Sequence, residues 1–461
     1  MQKNTLPTVF VILGATGDLM QRKLVPGLFH LFKEGHLPSL FQVVGFSKDS
    51  LDTKDFQERI QEMIGEKSEF PQFFTYQQGT FEENEGYKKL AEFLGMRDNG
   101  WRVCSNKLFY LAVPPQHYKA IFQNLAFSGL TKPCSPEEGW TRVIVEKPFG
   151  KDLKTAQELD RMLGKLFCEE QIYRMDHYLG KETVQNILAF RFSNSFLQDS
   201  WNKMGIERVS IRLLEKEGIG NRGAFYDGLG ALRDVGQNHL LQLLSLFCMD
   251  SPTKFDGDSL RRERAKVLKA LPVLSADDVK AHAKRGQYQG YSKEKDVDPS
   301  SQTETYFQIQ TFLNNDIWKG VPILLESGKA MKESLVEVEV VFLHSTPCLC
   351  PPTENKHYRN VLRYRIQPQE GIVMSLWVKR PGPEMIIDER AFSFDYRQAF
   401  DQKEFADPYE RLLLSCIQGD QTLFVSTEEI MASWKFVDSI LQGWEKEKVP
   451  LVVYSKGAST I

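Results

Sequence analysis

Two short blocks of this sequence concentrate groups that can move protons and grip anions. In the first, Asp234, Asn238 and His239 sit inside an otherwise apolar stretch. Leu232, Val235, Leu243 and Leu246 supply its buried stripe, so packing gives no reason for the polar residues. A histidine titrates near neutral pH, and His239 therefore suits a general base. The other reading is a core histidine with satisfied hydrogen bonds. A base of this kind needs a carboxylate to orient its ring and stabilise its positive form. Asp176 has the chemistry for that, although periodicity does not pair the two.

The second block is Asp176-His177-Tyr178-Leu179-Gly180-Lys181-Glu182. Asp176 suits the N-cap of an amphipathic helix over 176–190. His177 and Lys181 are four apart and would share one helix face. Two cationic side chains, the Tyr178 hydroxyl and the helix N-terminus would form a phosphate cradle. The alternative is an ordinary capped helix with an exposed face.

A third constellation lies at the N-terminal end. Thr8–Leu13 is a continuous apolar run, followed by Gly14-Ala15-Thr16-Gly17-Asp18-Leu19 and a helical pattern. Strand, glycine turn and helix in that order suit a dinucleotide, whose pyrophosphate needs close backbone approach and free N–H groups. The G-x-x-G spacing lacks the third glycine of the full fingerprint, so an ordinary strand–helix turn is also open. The next strand ends at Phe46 and is followed by Ser47 and Lys48, where an NAD site usually carries an acid. A cation there suits a 2′-phosphate, which points to NADP. Glu146-Lys147-Pro148 follows another apolar strand, at the sheet edge where ligands bind. Lys147 could reach both cofactor and substrate.

These groups need elements to position them. Thr8–Leu13, Gln42–Phe46, Lys107–Val113 and Arg142–Val145 read as buried strands alternating with helical patterns, among them 23–34 and 56–64. That alternation implies an α/β domain with a parallel sheet over residues 1–175. Beyond it, 176–190 and 229–247 read as helices. Val209–Leu214, Thr305–Leu313, Leu335–Leu343, Val361–Ile366 and Ile372–Val378 read as strands. This is an α+β pattern over 176–461, with a large, mainly antiparallel sheet. Residues 284–303 are polar and turn-rich and read as a long loop.

The 461 residues comprise 58 Lys+Arg and 61 Asp+Glu, a net charge of −3. This balance argues against a general nucleic-acid coat or an anionic-membrane binder. With 41% apolar and 26% charged residues the chain is globular. No apolar stretch is long enough to span a membrane, and the expected location is cytoplasmic. The seven cysteines are scattered, with Cys348-Leu349-Cys350 the one close pair. One intervening residue is not a zinc-knuckle spacing. Free thiols, and no metal, are expected.

Read together, the blocks resemble glucose-6-phosphate dehydrogenases. The matching pieces, in order, are GATGDL (14–19), LAVPP (111–115), EKPFG (146–150), RMDHYLGKE (174–182), DVGQNHLLQ (234–242), RGQY (285–288), TET (303–305), WKGVP (318–322) and SGKA (327–330). The resemblance implies a Rossmann domain and an α+β domain whose sheet forms a homodimer or homotetramer interface. It implies NADP-dependent oxidation of glucose 6-phosphate at C1, the first step of the oxidative pentose phosphate pathway. His239 falls on the base and Asp176 on its carboxylate partner. His177, Tyr178 and Lys181 fall on the sugar-phosphate site, and Lys147 on a lysine touching substrate and cofactor. Glu215 and Asp234 match hexose-hydroxyl ligands, Lys329 a further substrate lysine, and Gln367 a neighbouring polar contact. Gly14, Thr16, Gly17, Asp18 and Lys48 match the coenzyme site.

The chain also departs from the family pattern. Lys48 stands where arginine often binds the 2′-phosphate, and it lacks the planar fork. Glu326 and Ser334 stand where basic residues are frequent, which bears on sugar-phosphate affinity. The extra NADP site of some animal members has no match here. Other Rossmann-type sugar oxidoreductases share the E-K-P turn but lack a DHYLGKE-like block. A non-catalytic NADP-binding regulatory protein is the rival from another class, and the intact Asp176, Lys181 and His239 tell against it.

Overall fold

The computed structural model describes residues 7–134, 138–350, 357–401 and 405–461. Its strands are β1 (Thr8–Leu13), β2 (Phe41–Ser47), β3 (Phe74–Gln78), β4 (Asn106–Leu111), β5 (Thr141–Val145), β6 (Ile172–Met175), β7 (Ile206–Leu214), β8 (Ala283–Tyr288), β9 (Tyr306–Thr311), β10 (Ile323–Gly328), β11 (Leu335–Phe342), β12 (Val361–Gln367), β13 (Gly371–Lys379), β14 (Ile387–Asp395), β15 (Phe424–Val425) and β16 (Leu451–Tyr454).

The first sheet runs β15-β6-β5-β4-β1-β2-β3. All its pairs are parallel except β15 with β6. Every residue of β1 and β4 is buried, as expected of a parallel sheet covered on both faces. The strand order reverses between β4 and β1. That reversal opens a crevice at the carboxyl ends of the strands, the usual place for a ligand in such sheets. β3 and β6 lack the apolar signature of their neighbours. β3 carries Thr75, Gln77 and Gln78, and β6 is four residues long with Arg174 inside it.

The second sheet runs β14-β13-β12-β11-β7-β10-β9-β8-β16. It is antiparallel except where β10 meets β7 and β16 meets β8. The polar stretch 284–303 is a loop only in part, because β8 occupies its first residues and buries Gly286 and Tyr288. The rest is tied down by Asp227, whose carboxylate accepts hydrogen bonds from Ser301, from Thr303 Oγ1 (2.9 Å) and from Asp298 N–H (3.1 Å).

Two helices differ from the periodicity reading. The segment expected to be one helix over 176–190 is a run of tight turns up to Lys181, and the helix is Glu182–Ser193. Asp176 is therefore not a helix cap. The expected helix over 229–247 is a widened π-helical segment, Leu232–Leu240, continued by an α-helix, Leu241–Cys248.

The cysteines also differ from expectation. Cys104 and Cys134 are paired (Sγ–Sγ 2.01 Å), and so are Cys348 and Cys350, leaving Cys168, Cys248 and Cys416 as free thiols. Cys104 and Cys134 are 30 residues apart. Only the tertiary fold brings their two loops together.

The C-terminal helix Thr427–Lys446 braces the turn after β5. Its capping box, Ser426 with Glu429, fixes where it starts. Its apolar stripe buries Ile430, Trp434, Val437, Ile440 and Trp444. Trp434 is 1% exposed and donates its Nε1–H to Phe149 O at 2.9 Å, inside the Glu146–Gly150 turn. Trp434→Phe should cost about 1 kcal/mol for the lost hydrogen bond. Trp434→Ala should cost about 3–5 kcal/mol by opening a cavity as well. Thermal unfolding of the variants checks this, and equal midpoints for both would remove the packing role.

Candidate active site

Adjacent parallel strands deliver the first two groups. β5 ends at Val145, which places Lys147 on the following turn. β6 ends at Met175, which places Asp176 immediately beyond it. The π-helical segment brings His239 in from the second domain. Its Nδ1 lies 2.6 Å from Asp176 Oδ1, and its Nε2 lies 3.0 Å from Lys147 Nζ. Both His239 and Asp176 are almost fully buried.

The partners decide the tautomer. A carboxylate only accepts and an ammonium only donates. His239 therefore carries its proton on Nδ1 and presents a lone pair at Nε2. Burial alone would raise the Asp176 carboxyl, but the attraction and hydrogen bond of His239 hold it well below the usual carboxylate range. Burial lowers His239 below its ordinary 6.5, with Asp176 opposing and Lys147 adding to the shift. The resting pair is thus an ionised carboxylate and a neutral imidazole with a free base nitrogen.

The Asp176–Lys181 turns bring further groups to the same point. Asp176 Oδ1 also accepts the Tyr178 N–H at 2.9 Å, which closes the first turn. Gly180 lies against the helix Pro408–Gln418; a Cβ there would meet Pro408 O at 2.6 Å. Tyr178 stacks on His239 with ring centroids 4.0 Å apart, and His177 meets His239 edge-on at 4.7 Å. Burial above all pushes His177 down to about 3. His177 is then a neutral hydrogen-bonding group rather than the second cation expected of the cradle. Lys181 remains the cation. It lies 4.4 Å from the Tyr178 ring centroid and donates to Gln367 at the end of β12. Burial lowers Lys181 from its ordinary value.

A second polar cluster stands beside this one. Asp234 accepts from Lys147 Nζ through its backbone oxygen at 3.2 Å, and its Oδ2 lies 3.6 Å from Lys329 Nζ. Lys329 also donates to Glu215, which follows β7. Arg222, which the sequence reading passed over, lies 3.9 Å from Asp234 Oδ1. Glu146 was also passed over, although it stands in the E-K-P motif. It is a buried carboxyl raised by desolvation, bonded to the Tyr110 hydroxyl at 2.5 Å. Of the two departures from the family pattern, Ser334 lines a cavity together with Gln367, the partner of Lys181. Glu326 is buried in β10 and accepts from the Tyr306 hydroxyl at 2.7 Å. Ser334 accepts the Lys216 N–H at 3.0 Å.

At the other end of the crevice, Gly14 has φ +91° and Gly17 N–H closes the turn on Gly14 O at 3.0 Å. A Cβ on Gly14 would stand 2.5 Å from Ala112 O, so only glycine lets this turn pack on the end of β4. Gly17 is exposed, which leaves its backbone open to a phosphate. Thr16 Oγ1 is 2.8 Å from Ser47 Oγ, joining the turn to the end of β2. Lys48 is exposed and, among the described residues, its ammonium is in no ion pair. Asp18 is exposed and pairs with Arg22 at 2.7 Å. From β2 to β5 is three strand steps, roughly 14 Å, within reach of an extended dinucleotide. A cavity bordered by Pro115, Pro148 and Gly150 opens at the carboxyl ends of β4 and β5.

Comparison with known proteins gives a consistent answer. The glucose-6-phosphate dehydrogenase NAD binding domain matches residues 11–186, and the C-terminal domain of the same family matches 188–460. A glucose-6-phosphate 1-dehydrogenase of Chlamydia muridarum is 40% identical over 95% of this chain and 91% of its own. A solved glucose-6-phosphate dehydrogenase in complex with glucose-6-phosphate superposes with a TM-score of 0.90. It is 33% identical and covers 99% of this chain and 96% of its own. The Mycobacterium avium glucose-6-phosphate 1-dehydrogenase structure has a TM-score of 0.82 at 32% identity, covering 98% and 95%. Two domain models spanning nearly every residue, and relatives matched along almost their full length, make this chain a member of the glucose-6-phosphate dehydrogenase family of oxidoreductases.

Proposed function

We propose that the chain oxidises β-D-glucose 6-phosphate at C1 with NADP, giving 6-phosphoglucono-δ-lactone and NADPH. The observation that carries this reading is the Asp176–His239–Lys147 chain, in which one imidazole nitrogen is kept bare. His239 Nε2 takes the C1 hydroxyl proton as hydride leaves C1. The substrate hydroxyl replaces Lys147 as the donor to Nε2, and the freed ammonium turns to the sugar and cofactor. Asp176 stabilises the imidazolium as it forms, so the positive charge develops beside a carboxylate already ionised. The nicotinamide, when bound, supplies the hydride acceptor.

Lys181, His177, Tyr178 and Gln367 hold the sugar phosphate, with Lys181 supplying the charge. Glu215, Asp234 and Lys329 read the hexose hydroxyls. This grip on groups remote from C1 orients the reacting carbon, and such orientation contributes several kcal/mol to the barrier reduction. Gly14, Thr16, Gly17 and Asp18 take the pyrophosphate end of the cofactor, and Lys48 takes the 2′-phosphate. The enzyme acts in the cytoplasm as a homodimer or homotetramer through the second sheet. Support for that surface comes from β14, where Phe392 is 59% and Phe394 is 39% exposed.

His239→Asn should lower kcat by about 10²–10⁴-fold, the usual worth of general-base help, and leave KM for glucose 6-phosphate similar. The acid limb of the wild-type rate should lie below 6.5. In Asp176→Asn it should move to still lower pH while kcat falls, because the group that raises the imidazole is gone. Steady-state rates across pH test both variants, and a near-normal kcat in His239→Asn would remove the base.

Lys181→Ala should raise KM for glucose 6-phosphate roughly 10–100-fold, the worth of one charged hydrogen bond, and hardly change the weak oxidation of free glucose. Equal losses on both sugars would contradict the phosphate role. Lys48→Ala should weaken NADP by about tenfold, near 1.4 kcal/mol, and NAD much less. Cofactor titration by fluorescence measures this, and an unchanged NADP/NAD ratio would move the 2′-phosphate contact elsewhere.

A further inference from the structure

β11 and β12 are joined by residues 343–360, at the opposite end of the strands from the catalytic groups. Phe342 pairs with Ile206 at the start of β7, whereas Leu335 pairs with Leu214, next to Glu215. The strand length separates the two ends by about 25 Å at the usual rise per residue. Within the described part of this connection, the sulfurs of Cys348 and Cys350 and a ring nitrogen of His357 all lie within 4.8 Å of one another. His344 stacks on His357, with ring centroids 4.3 Å apart and planes 21° from parallel. The one-residue spacing of the cysteines looked wrong for a knuckle in the sequence. The fold supplies one histidine, His357, from the far arm of the connection, with His344 packed on its ring from the near arm.

Two backbone N–H groups face these sulfurs and would stabilise them as thiolates once the disulfide is reduced. The Cys350 N–H donates to Cys348 Sγ at 3.1 Å, and the Tyr358 N–H donates to Cys350 Sγ at 3.4 Å. Backbone N–H groups aimed at sulfur stabilise thiolates and orient them as ligands. The C-terminal arm is also held in place. Tyr358 stacks on Trp377 of β13 at 4.4 Å, and Trp377 Nε1–H donates to Arg359 O at 2.9 Å. His357 is thereby presented by an anchored segment.

We propose that, with its cysteines reduced, this connection binds one zinc-class cation through Cys348, Cys350 and His357. Two thiolates balance a divalent charge, one imidazole is the third ligand, and a water completes a tetrahedral set. Among the described residues the group gathered there contains no carboxylate, and its sulfur ligands disfavour magnesium or calcium. Binding releases the two thiol protons to solvent and involves no change of oxidation state. A disulfide between the same cysteines is the competing state of the pair. The cation clips a loop at the edge of the second sheet and takes no part in sugar oxidation.

The test uses the full chain, reduced with a phosphine and stripped with a chelator under argon. Alkylation and mass spectrometry confirm that Cys348 and Cys350 are thiols. Cobalt(II) is then added as the probe. The expected result is one cobalt per chain, with a thiolate charge-transfer band and visible bands of tetrahedral intensity that zinc abolishes. Cys348→Ser and His357→Ala should lose those bands, and His344→Ala should weaken binding roughly 10–100-fold. Dehydrogenase rates of all three variants should stay near wild type, which shows that they fold. A reduced chain without the tetrahedral spectrum, or an unchanged spectrum in Cys348→Ser, would overturn the site. Unchanged affinity in His344→Ala would overturn the role of the stacked ring in orienting His357.

Discussion

The bond between His239 Nδ1 and Asp176 Oδ1 is the constraint on which the rest of the molecule depends. It joins the end of the first sheet to a helix of the second domain. A buried imidazole next to an ammonium would lose basicity, and a buried carboxylate without a partner would protonate. Each solves the problem of the other. Together they leave a bare nitrogen facing Lys147, in a cluster lined by Tyr178 and His177. The π-helical widening of Leu232–Leu240 carries Asp234 and His239 in the same segment. The tight turns after Asp176 put Lys181 within reach of β12. Proton removal and anion grip therefore share one short segment, and strain at either would be felt at both.

The layout of the first sheet extends that local pair into the hydride-transfer geometry we propose. Lys48, Gly14, Lys147 and Asp176 leave β2, β1, β5 and β6 at their carboxyl ends, with β4 between the second and third. In the function we propose, a cofactor lying along those ends would meet a sugar held over the last two strands. Glu146 adds a buried carboxyl bonded to Tyr110 under the same turn, and Trp434 braces that turn from the C-terminal helix. Asp176 Oδ1 and His239 satisfy each other within the cluster, whereas Asp176 Oδ2 is buried without a hydrogen-bond partner.

Much of this was legible in the sequence, for identifiable reasons. Continuous apolar runs marked β1, β2, β4 and β5, because parallel strands buried on both faces have little room for polar residues. Asp234, Asn238 and His239 stood out because they interrupt an apolar stripe. Other features were not legible. The Asp176–His239 contact spans 63 residues, and no period links its two ends. The spacing of His177 and Lys181 read as a helix face because four-residue spacing has the same signature. The Asp176 carboxylate binds His239 and the Tyr178 N–H instead of capping a helix. The charge of His177 was misjudged because its state depends on burial beside His239. The Cys104–Cys134 pairing arises only when two loops 30 residues apart meet, and the approach of His344 to His357 only when their connection folds back on itself.

The central claim is that His239 rests as a neutral ring with its proton on Nδ1 and a bare Nε2. Nitrogen-edited NMR of the histidine rings, assigned by comparison with His239→Asn, reads that state directly. The account predicts a protonated Nδ1 and an unprotonated Nε2 for His239 at neutral pH. A ring protonated on Nε2 with a bare Nδ1 would contradict it, because the nitrogen meant to receive the proton would already carry one.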